Sequence, residues 1–337
     1  MDIKNFATFN DVQEINLGLD INTKKYRVIC NDGSVCFLKI IKSPSPKKYY
    51  HHFVGLQKYY DKGLPIAKPI MADFDSEQAY LLYEFLNGGD LHEYMEQGKN
   101  CFERYTLGLQ FAETLKKFND HDLMEDSKKE NYAVSNIASE SMDWLSKHFD
   151  SKEARKTFFW DKLQESYEKI IPALKNRAVS IIHADMGPRN VLVQHRSQIQ
   201  LDCELVLADY DTIEYGDPYL QFAAMIVMLQ EQPAYCMGLL NGYIGNKVTE
   251  DFYELLDFYS LLVTCKRLYW LRDSDNFYKY EQYAKCGYRL LENFILHNSV
   301  YISEQTITKK SSDVNEPGIV ITKPFSRLIA KIRSFGS

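Results

Sequence analysis

The chain of 337 residues is 45% hydrophobic and 26% charged, which suffices for a sizeable core in one large domain or two lobes. Its formal net charge of -6 argues against nucleic acid as the main partner, because surfaces that bind nucleic acid are basic. No apolar run approaches the roughly 18 to 20 residues that span a membrane. Seven scattered cysteines without a C-x-x-C pair, and an N-terminal MDIKNFATFND without signal-peptide blocks, predict a cytoplasmic protein with reduced thiols.

The N-terminal part has the pattern of a small β-sheet. Strand-like segments cover residues 12–17, 25–30 and 35–41, and Asn31-Asp32-Gly33 between the last two favours a tight turn. In the third segment Lys39 alternates with apolar neighbours. Such a lysine either projects from the sheet into a cleft or faces solvent, and the pattern alone leaves both open.

Helical periodicity begins after this sheet and then dominates the chain. Residues 47–62 predict a helix that ends near Gly63, and an apolar strand over 79–86 runs into Asn87-Gly88-Gly89. From Asp90 onward the sequence predicts a larger helical region, and hence an α+β fold. The predicted helices cover residues 102–118, 139–149, 155–174, 219–240, 251–269 and 278–297.

Polar side chains follow two apolar strands between residues 181 and 211. The segment 181–184 leads into Asp185, Asn190 follows five residues later, and a second strand over 203–208 leads into Asp209. Two strands around a short loop can bring these groups together. One carboxylate can then orient a hydroxyl and accept its proton, while an amide oxygen and a second carboxylate hold Mg2+ against nucleotide phosphates. The alternative is a pair of surface turns, since D-x-x-x-x-N also occurs by chance.

Three ordered motifs narrow these possibilities. They are His183-x-Asp185-x-x-x-x-Asn190, Asp209-Tyr210-Asp211 and Gly216-Asp217-Pro218. In this order they resemble the aminoglycoside phosphotransferase and choline kinase-like family of the protein-kinase-like fold. The resemblance implies two lobes, with a small antiparallel β lobe over residues 1–86 and a larger helical lobe over 87–300. A polar linker and basic tail would occupy 301–337.

The resemblance also implies roles in ATP-dependent transfer of a phosphoryl group to a small-molecule hydroxyl. Asp185 would be the catalytic base, and His183 would support the geometry of its loop. Asn190 and Asp209 would bind Mg2+, with Asp211 as a further candidate.

ATP itself would contact the N-terminal sheet. Lys39 would touch the phosphates, and the loop residues Asn22 and Thr23 would offer further donors. Backbone groups of three residues at the end of the last strand would meet the adenine edge; these are Glu84, Phe85 and Leu86.

Two departures from the family pattern keep a second function open. Gly18 is the only glycine of the phosphate loop, and no glutamate that could pair with Lys39 occurs before Gly63. His52 or Gln57 could partly replace this glutamate. A kinase-like pseudoenzyme or structural protein, of the kind represented by kinase-like spore-coat proteins, therefore remains the alternative.

The acceptor and the tail also leave alternatives open. The acceptor could be aminoglycoside-, choline- or sugar-like, and four acidic residues of the last helices could face an amine or form a solvated helix face. In the tail, residues 324–335 predict a basic amphipathic helix, which either docks on the acidic body or lies on an anionic membrane surface. The four acidic residues are Asp273, Asp275, Glu281 and Glu292.

Overall fold

The computed structural model describes nine ranges: residues 9–15, 22–120, 133–148, 158–195, 203–210, 213–245, 250–297, 299–302 and 319–322. Contacts divide the chain into two compact units. The first consists of Met1–Glu96 with Pro188–Thr212, and the second of Gln97–Gly187 with Ile213–Ser337. This grouping assigns Pro188–Thr212 to the unit of the N-terminal sheet, whereas the predicted lobes of 1–86 and 87–300 follow the chain and stay predictions.

A five-stranded antiparallel sheet forms the body of the first unit, in the order β1-β2-β3-β5-β4. Helix α1 connects β3 to β4, and after β5 come helix α2 and, much later in the chain, the antiparallel β7–β8 hairpin. The bounds are β1 Phe9–Glu14, β2 Thr23–Cys30, β3 Val35–Lys42, α1 Pro46–Asp61, β4 Pro69–Phe74, β5 Gln78–Glu84, α2 Leu91–Glu96, β7 Val191–His195 and β8 Cys203–Leu207.

The sheet forms where the alternation of apolar and polar residues and the residues of the tight turn both favour a hairpin. Gly33 takes a φ of +83° between β2 and β3, and the Asp32 carboxylate accepts bonds from the amide and hydroxyl of Ser34. Side chains on one face of β2, β3 and β5 then close a core that includes Val28, Leu38 and Leu82. The predicted turn and the predicted strands on either side of it are confirmed.

The β7–β8 hairpin is attached to the rest of the first unit at the glycine pair that follows β5. The amide of Val193 donates to the carbonyl of Gly89 at 3.0 Å, and Asp90 forms an isolated bridge with Leu192. A methyl group on Gly88 would overlap the carbonyl oxygen of Val193. Glycine at position 88 is therefore required by a close backbone approach.

We expect Gly88→Ala to lower the free energy of unfolding by about 3 kcal/mol, because the new methyl group must displace the backbone of β7. Urea denaturation measures this loss. Gly55→Ala is the matched control, since a methyl group there meets nothing within 4 Å and alanine favours helix α1 by about 0.5–1 kcal/mol. Equal stability of the Gly88→Ala variant and the wild type would contradict the close approach.

The second unit is mainly helical. A short antiparallel ribbon of β6 and β9 carries the residues before Asp185 and the Gly-Asp-Pro motif. Strand β11 pairs with β10 inside the region predicted as linker and tail, where no strand was predicted. The bounds are α3 Cys101–Asn119, α4 Val134–His148, α5 Phe158–Leu174, β6 Ser180–His183, β9 Ile213–Gly216, α6 Met225–Glu231, α7 Pro233–Ile244, α8 Glu250–Leu271, α9 Asn276–His297, β10 Ser299–Ile302 and β11 Ile319–Thr322.

The prediction of one helix over residues 219–240 is wrong. The segment is divided into a 3-10 helix at Pro218–Ala224, then α6, then α7. Pro233 causes the second break, because proline has no amide hydrogen and excludes the α conformation from the residue before it. Gln232 accordingly has φ -137° and ψ 59°.

Asp217 of the Gly-Asp-Pro motif caps the 3-10 helix that follows it. Its carboxylate accepts from the amide of Tyr219 at 2.9 Å, from the guanidinium of Arg177 through two 2.8 Å bonds, and from the hydroxyl of Tyr259 at 3.0 Å. Only 2% of Asp217 is exposed. The charge is buried, but it is paired and hydrogen-bonded on both oxygens, as burial requires.

The Asp257 side chain on α8 should make the free energy of unfolding depend on pH. Its carboxylate accepts the hydroxyls of Tyr288 at 2.7 Å and Ser166 at 2.8 Å, yet burial raises its pKa above the usual 3.8. A raised pKa in the folded state means that this group's contribution is present below the unfolded pKa and is lost as pH rises through the folded value.

We therefore expect Asp257→Asn, which cannot ionise, to gain stability relative to the wild type as pH rises from about 3.5 to about 7. Urea denaturation at the two pH values measures the change. Glu254→Gln, on the exposed face of the same helix, is the control for removing one carboxylate from α8. A stability difference that does not change with pH would contradict the raised pKa.

Within the described part of the chain, no helix is both long and apolar enough to cross a membrane. The predicted linker over 303–318 and the predicted basic helix over 324–335 lie outside the described residues.

Candidate active site

Lys39 lies on the central strand β3, paired with Lys25 on β2 and Leu81 on β5. Its ammonium group donates to Oδ1 of Asp209 at 2.8 Å, and only 7% of the residue is exposed. The alternative of a solvent-facing lysine is therefore wrong. A buried ammonium needs a partner to offset its desolvation, and here the partner is the aspartate that follows β8.

Asp209 has an uncommon backbone conformation. Its φ is +59°, and it is the only residue other than glycine with a positive φ among the described positions. The left-handed region costs roughly 1–2 kcal/mol for residues with a Cβ, although aspartate and asparagine enter it more readily than others. Strain of this kind concentrates at functional sites, where the surrounding structure holds it in place.

Neighbouring hydrogen bonds hold the backbone on both sides of Asp209. Before it, the amide of Ala208 donates to the carbonyl of Asn190 at 2.9 Å. After it, the carbonyl of Tyr210 lies 2.7 Å from Nε2 of His52, and the hydroxyl of Tyr210 accepts from the amide of Ala67 at 2.7 Å. Hydrogen bonds within the β7–β8 hairpin and from helix α1 therefore fix the backbone on both sides of Asp209.

Asn190 ends a 3-10 helix, Pro188–Asn190, immediately before β7. Since β7 pairs with β8 from Val191 opposite Leu207, Asn190 and Asp209 lie at the same end of the hairpin. Their side chains offer an amide oxygen and a carboxylate, the oxygen ligands that Mg2+ prefers. The donor set of the hairpin end therefore fits a magnesium ion.

Among the residues that the structure describes, no three or more His, Cys, Asp or Glu side chains are grouped so that they could hold a metal ion. The predicted third ligand, Asp211, lies outside the described residues, as does Gly18 of the phosphate loop. Binding of metal by Asn190, Asp209 and Asp211 stays a prediction.

The two residues suggested as replacements for the missing glutamate make other contacts. Gln57 donates to Asp61 on the same helix at 2.9 Å, and His52 contacts the Tyr210 carbonyl. Between them, Phe53 packs on Tyr83 with 5.1 Å between ring centroids, and Tyr83 in turn packs 5.3 Å from the ring of Tyr210. Helix α1 thus contacts the loop of Asp209 directly.

The end of β5 was predicted to meet adenine. The amide of Glu84 already donates to the carbonyl of Lys68 at 3.0 Å, and its carboxylate accepts from the Lys68 amide at 2.7 Å. The ring of Phe85 lies 5.6 Å from the guanidinium carbon of Arg27. The amide donor for adenine in the predicted site would therefore come from Phe85 or Leu86.

Asn22 and Thr23 lie at the start of β2. The carbonyl of Asn22 accepts from the amide of Lys42 at 2.8 Å, and Thr23 pairs with Ile41 of β3. Both residues are thus fixed to the sheet at the strand that carries Lys39. Their contact with phosphate stays a prediction.

His183 and Asp185 belong to the second unit. His183 is fully buried on β6, opposite Ile213, and its amide donates to the side chain of Gln221 at 3.3 Å. Asp185, two residues beyond the strand, is exposed, whereas Met186 after it is buried. The Asp185 carboxylate is therefore accessible between a buried strand and a buried methionine, and its role as a base stays a prediction.

Asp185 has a neighbour that the sequence did not reveal. Tyr280 on α9 has a pKa that is raised by burial, and the Asp185 carboxylate adds to this shift. The guanidinium of Arg267 on α8 lies 5.3 Å from the Tyr280 ring centroid. These helix positions carry no sequence signal for a site, because tyrosine and arginine at helical spacing usually serve packing and solubility.

The acidic residues considered for an amine-bearing acceptor are largely engaged elsewhere. Glu281 pairs with Lys285 at 2.9 Å and Glu292 pairs with Lys162 at 2.8 Å. Asp273, with 85% of its side chain exposed, lies 3.3 Å from Arg272, and Asp275 is exposed. Ion pairing leaves Glu281 and Glu292 with less free charge for a cationic acceptor.

Comparison with known proteins assigns the chain to a family. The sequence profile of the phosphotransferase enzyme family, APH, matches residues 12–256. The chain therefore belongs to the phosphotransferase enzyme family, which confirms the resemblance seen in the three motifs. The comparison with curated proteins finds no match.

Solved structures share the fold at low sequence identity. The GDP and kanamycin complex of APH(2")-IIia is 16% identical with a TM-score of 0.61, over 86% of this chain and 95% of that one. The gentamicin–APH(2")-IIa complex is 13% identical with a TM-score of 0.57, over 82% and 91%. APH(3'')-Id from Streptomyces rimosus is 13% identical with a TM-score of 0.52, over 74% and 92%. The predicted fold class, a small antiparallel N-terminal sheet with a larger helical part, is confirmed.

Proposed function

We propose that the protein transfers the γ-phosphate of ATP, with Mg2+, to a hydroxyl group of a small molecule. The observation that carries this proposal is the buried Lys39 ammonium paired at 2.8 Å with Asp209, whose backbone is held in the left-handed region beside Asn190. Family membership supports the class of reaction. The identity of the nucleotide and of the acceptor are the finer parts of the proposal.

Each residue has a role in this proposal. Magnesium, when bound, neutralises the phosphate charge that develops during transfer. Asn190 and Asp209, with Asp211, offer the oxygen ligands for it. Lys39 stabilises phosphate oxygens, and Asp185 orients the acceptor hydroxyl and takes its proton. Phosphoryl transfer needs little covalent help from protein, so positioning these groups accounts for most of the catalysis.

The remaining residues bind and support. Asn22 and Thr23 donate to phosphate, while Phe85 and Leu86, with the carbonyl of Glu84, meet the adenine. His183 keeps the loop of Asp185 in place from the buried strand. We place the protein in the cytoplasm, where its seven cysteines, none of which forms a disulfide in the structure, stay reduced.

The acceptor in this proposal is an alcohol of aminoglycoside, choline or sugar type. Solved relatives hold kanamycin or gentamicin, which supports an amine-bearing alcohol. The missing helix glutamate instead favours a kinase-like protein without catalysis. The two functions differ in whether acceptor addition releases ADP.

The wild-type protein with Mg-ATP and a panel of aminoglycosides, choline and sugars decides between them. We expect Mg-ATP to raise the melting temperature, because a ligand that binds only the folded state stabilises it. One acceptor class should then increase ADP release above the basal rate. No thermal shift and no ADP release with any acceptor would overturn the proposal in favour of the non-catalytic protein.

A further inference from the structure

We propose that His52 of helix α1 is a positioning residue, which keeps Asp209 in its metal-binding conformation by donating a hydrogen bond to the carbonyl of Tyr210. The inference rests on the proposed function, because it takes Asp209 to be a metal ligand. It replaces the expectation that His52 substitutes for the missing glutamate as a partner of Lys39.

The geometry fixes the direction of the hydrogen bond. Nε2 of His52 lies 2.7 Å from the Tyr210 carbonyl oxygen. A carbonyl oxygen only accepts, so Nε2 carries the hydrogen and donates it. Because imidazole provides this donor in the neutral form as well as in the charged form, the contact does not depend on the charge of His52.

The position of α1 makes this contact a rigid one. Phe53 and Leu56, adjacent to His52 and one turn beyond it, are buried with 5% and 0% exposed. Phe53 packs on Tyr83, and Tyr83 packs on Tyr210. The imidazole and the carbonyl are therefore held by packing on both sides, and the hydrogen bond is preorganised.

His52 adds one of the hydrogen bonds that keep the backbone of Asp209 in its unfavourable conformation. The amides of Leu207 and Ala208 bond to Pro65 and Asn190 before Asp209, at 2.8 and 2.9 Å. After Asp209, the backbone carbonyl of Tyr210 is bonded to His52, while its hydroxyl anchors the distant end of the side chain to Ala67. Without His52, the Tyr210 carbonyl loses its hydrogen bond to α1, and the strained φ of +59° at Asp209 can relax.

Helix α1 therefore supports the proposed metal site through different contacts from those in the resembled kinases. In the resembled kinases a glutamate of this helix pairs with the strand lysine. Here Lys39 pairs with Asp209 itself, and α1 acts on Asp209 through the Tyr210 backbone. Loss of the His52 hydrogen bond should therefore disturb both the carboxylate that binds metal and the partner of Lys39.

The experiment compares four variants. His52→Leu removes the donor, and His52→Asn keeps a polar group that is too short to reach the carbonyl. His52→Gln places an amide nitrogen near the position of Nε2. His51→Leu is the matched control, because His51 is exposed on the same helix beside Tyr50.

The first measurement is hydrogen exchange in the nucleotide-free protein. We expect His52→Leu and His52→Asn to speed exchange of the Ala208 amide by about five- to tenfold, the effect of losing one hydrogen bond that limits local opening. His52→Gln should stay close to the wild type, and His51→Leu should match it.

The second measurement is ADP affinity with and without Mg2+. The donor-removing variants should weaken Mg-ADP binding about five- to tenfold and leave magnesium-free ADP binding unchanged. If His52→Leu does not fold, His52→Asn and His52→Gln still make the comparison.

The results separate the two proposals. Wild-type exchange rates in the donor-removing variants, or a His52→Gln variant that behaves like His52→Leu, would overturn the role of the hydrogen bond. A wild-type protein whose ADP affinity does not respond to Mg2+ would overturn the proposed function instead, while the exchange experiment would still test His52.

Discussion

Replacing Asp185 by asparagine is expected to lower the rate of phosphoryl transfer by about 10^2- to 10^4-fold, the contribution of a positioned general base. Asparagine has nearly the same shape but cannot take a proton from the acceptor hydroxyl. Because Asp185 is not one of the proposed metal ligands, Mg-ATP binding should stay close to that of the wild type. Rapid-quench measurement of ADP formation, with a thermal shift for binding, tests both parts.

The structure supports the choice of this substitution. Asp185 is exposed after a buried strand, and asparagine keeps the size and polarity of its side chain. The Asp185 carboxylate makes a small contribution to the raised pKa of Tyr280, which burial mainly causes, so that pKa should fall slightly in the variant. Glu254→Gln is the control, since it removes one exposed carboxylate from the same unit. Full turnover by the Asp185→Asn variant would rule out the assignment of the base.

Local patterns predicted the elements that carry the site. Alternation around Lys39 predicted a strand but left open whether the lysine enters a cleft or faces solvent, and the structure shows it buried on β3. Apolar strands on both sides of a short loop predicted that Asp185, Asn190 and Asp209 would lie together at one hairpin end. The observed hairpin pairs β7 with β8 and carries Asn190 and Asp209 at one end, whereas the strand before Asp185 pairs with β9. The strands themselves were predictable because residue alternation and turn chemistry are short-range properties, whereas the pairing of β6 with β9 was not.

Contacts between distant residues were not predictable from these patterns. Lys39 and Asp209 are 170 residues apart, and His52 and Tyr210 are 158 residues apart. Nothing in a helix periodicity shows that one polar position faces a remote carbonyl. The same holds for Tyr280 beside Asp185.

Two signals were present in the sequence and were read too weakly. Gly88-Gly89 was interpreted as a strand end, although a glycine pair also allows the close approach that Val193 makes to Gly88. Pro233 lay inside a helix predicted over 219–240, where proline favours a break. The apolar composition of that segment concealed the break, because both flanking helices are buried.

Replacing Asp209 by asparagine is expected to weaken Mg-ADP binding by at least about 100-fold. That is the upper end of the loss seen when partners outside the ligand shell are removed, and a direct ligand should matter at least as much. Magnesium-free ADP binding should change much less. Isothermal titration with and without Mg2+ measures both affinities.

The choice of asparagine separates the charge of Asp209 from its backbone. Asparagine also tolerates positive φ, so the loop should keep its conformation. The variant then loses about 1–2 kcal/mol of stability, because Lys39 remains buried without its carboxylate while the Asp209 side chain is partly solvated. Asp209→Ala should lose roughly 1 kcal/mol more, the cost of alanine in the left-handed region.

Comparing the two Asp209 variants with Lys39→Met shows whether the Asp209 carboxylate binds metal or only pairs with Lys39. If Asp209 binds metal, both Asp209 variants lose magnesium-dependent binding equally, although their stabilities differ. Adding Lys39→Met to Asp209→Asn should cost less stability than Lys39→Met alone, because the ion pair with Asp209 is already broken. Wild-type magnesium response in Asp209→Asn would show that the carboxylate serves only Lys39, and the strained backbone would then be explained by the ion pair alone.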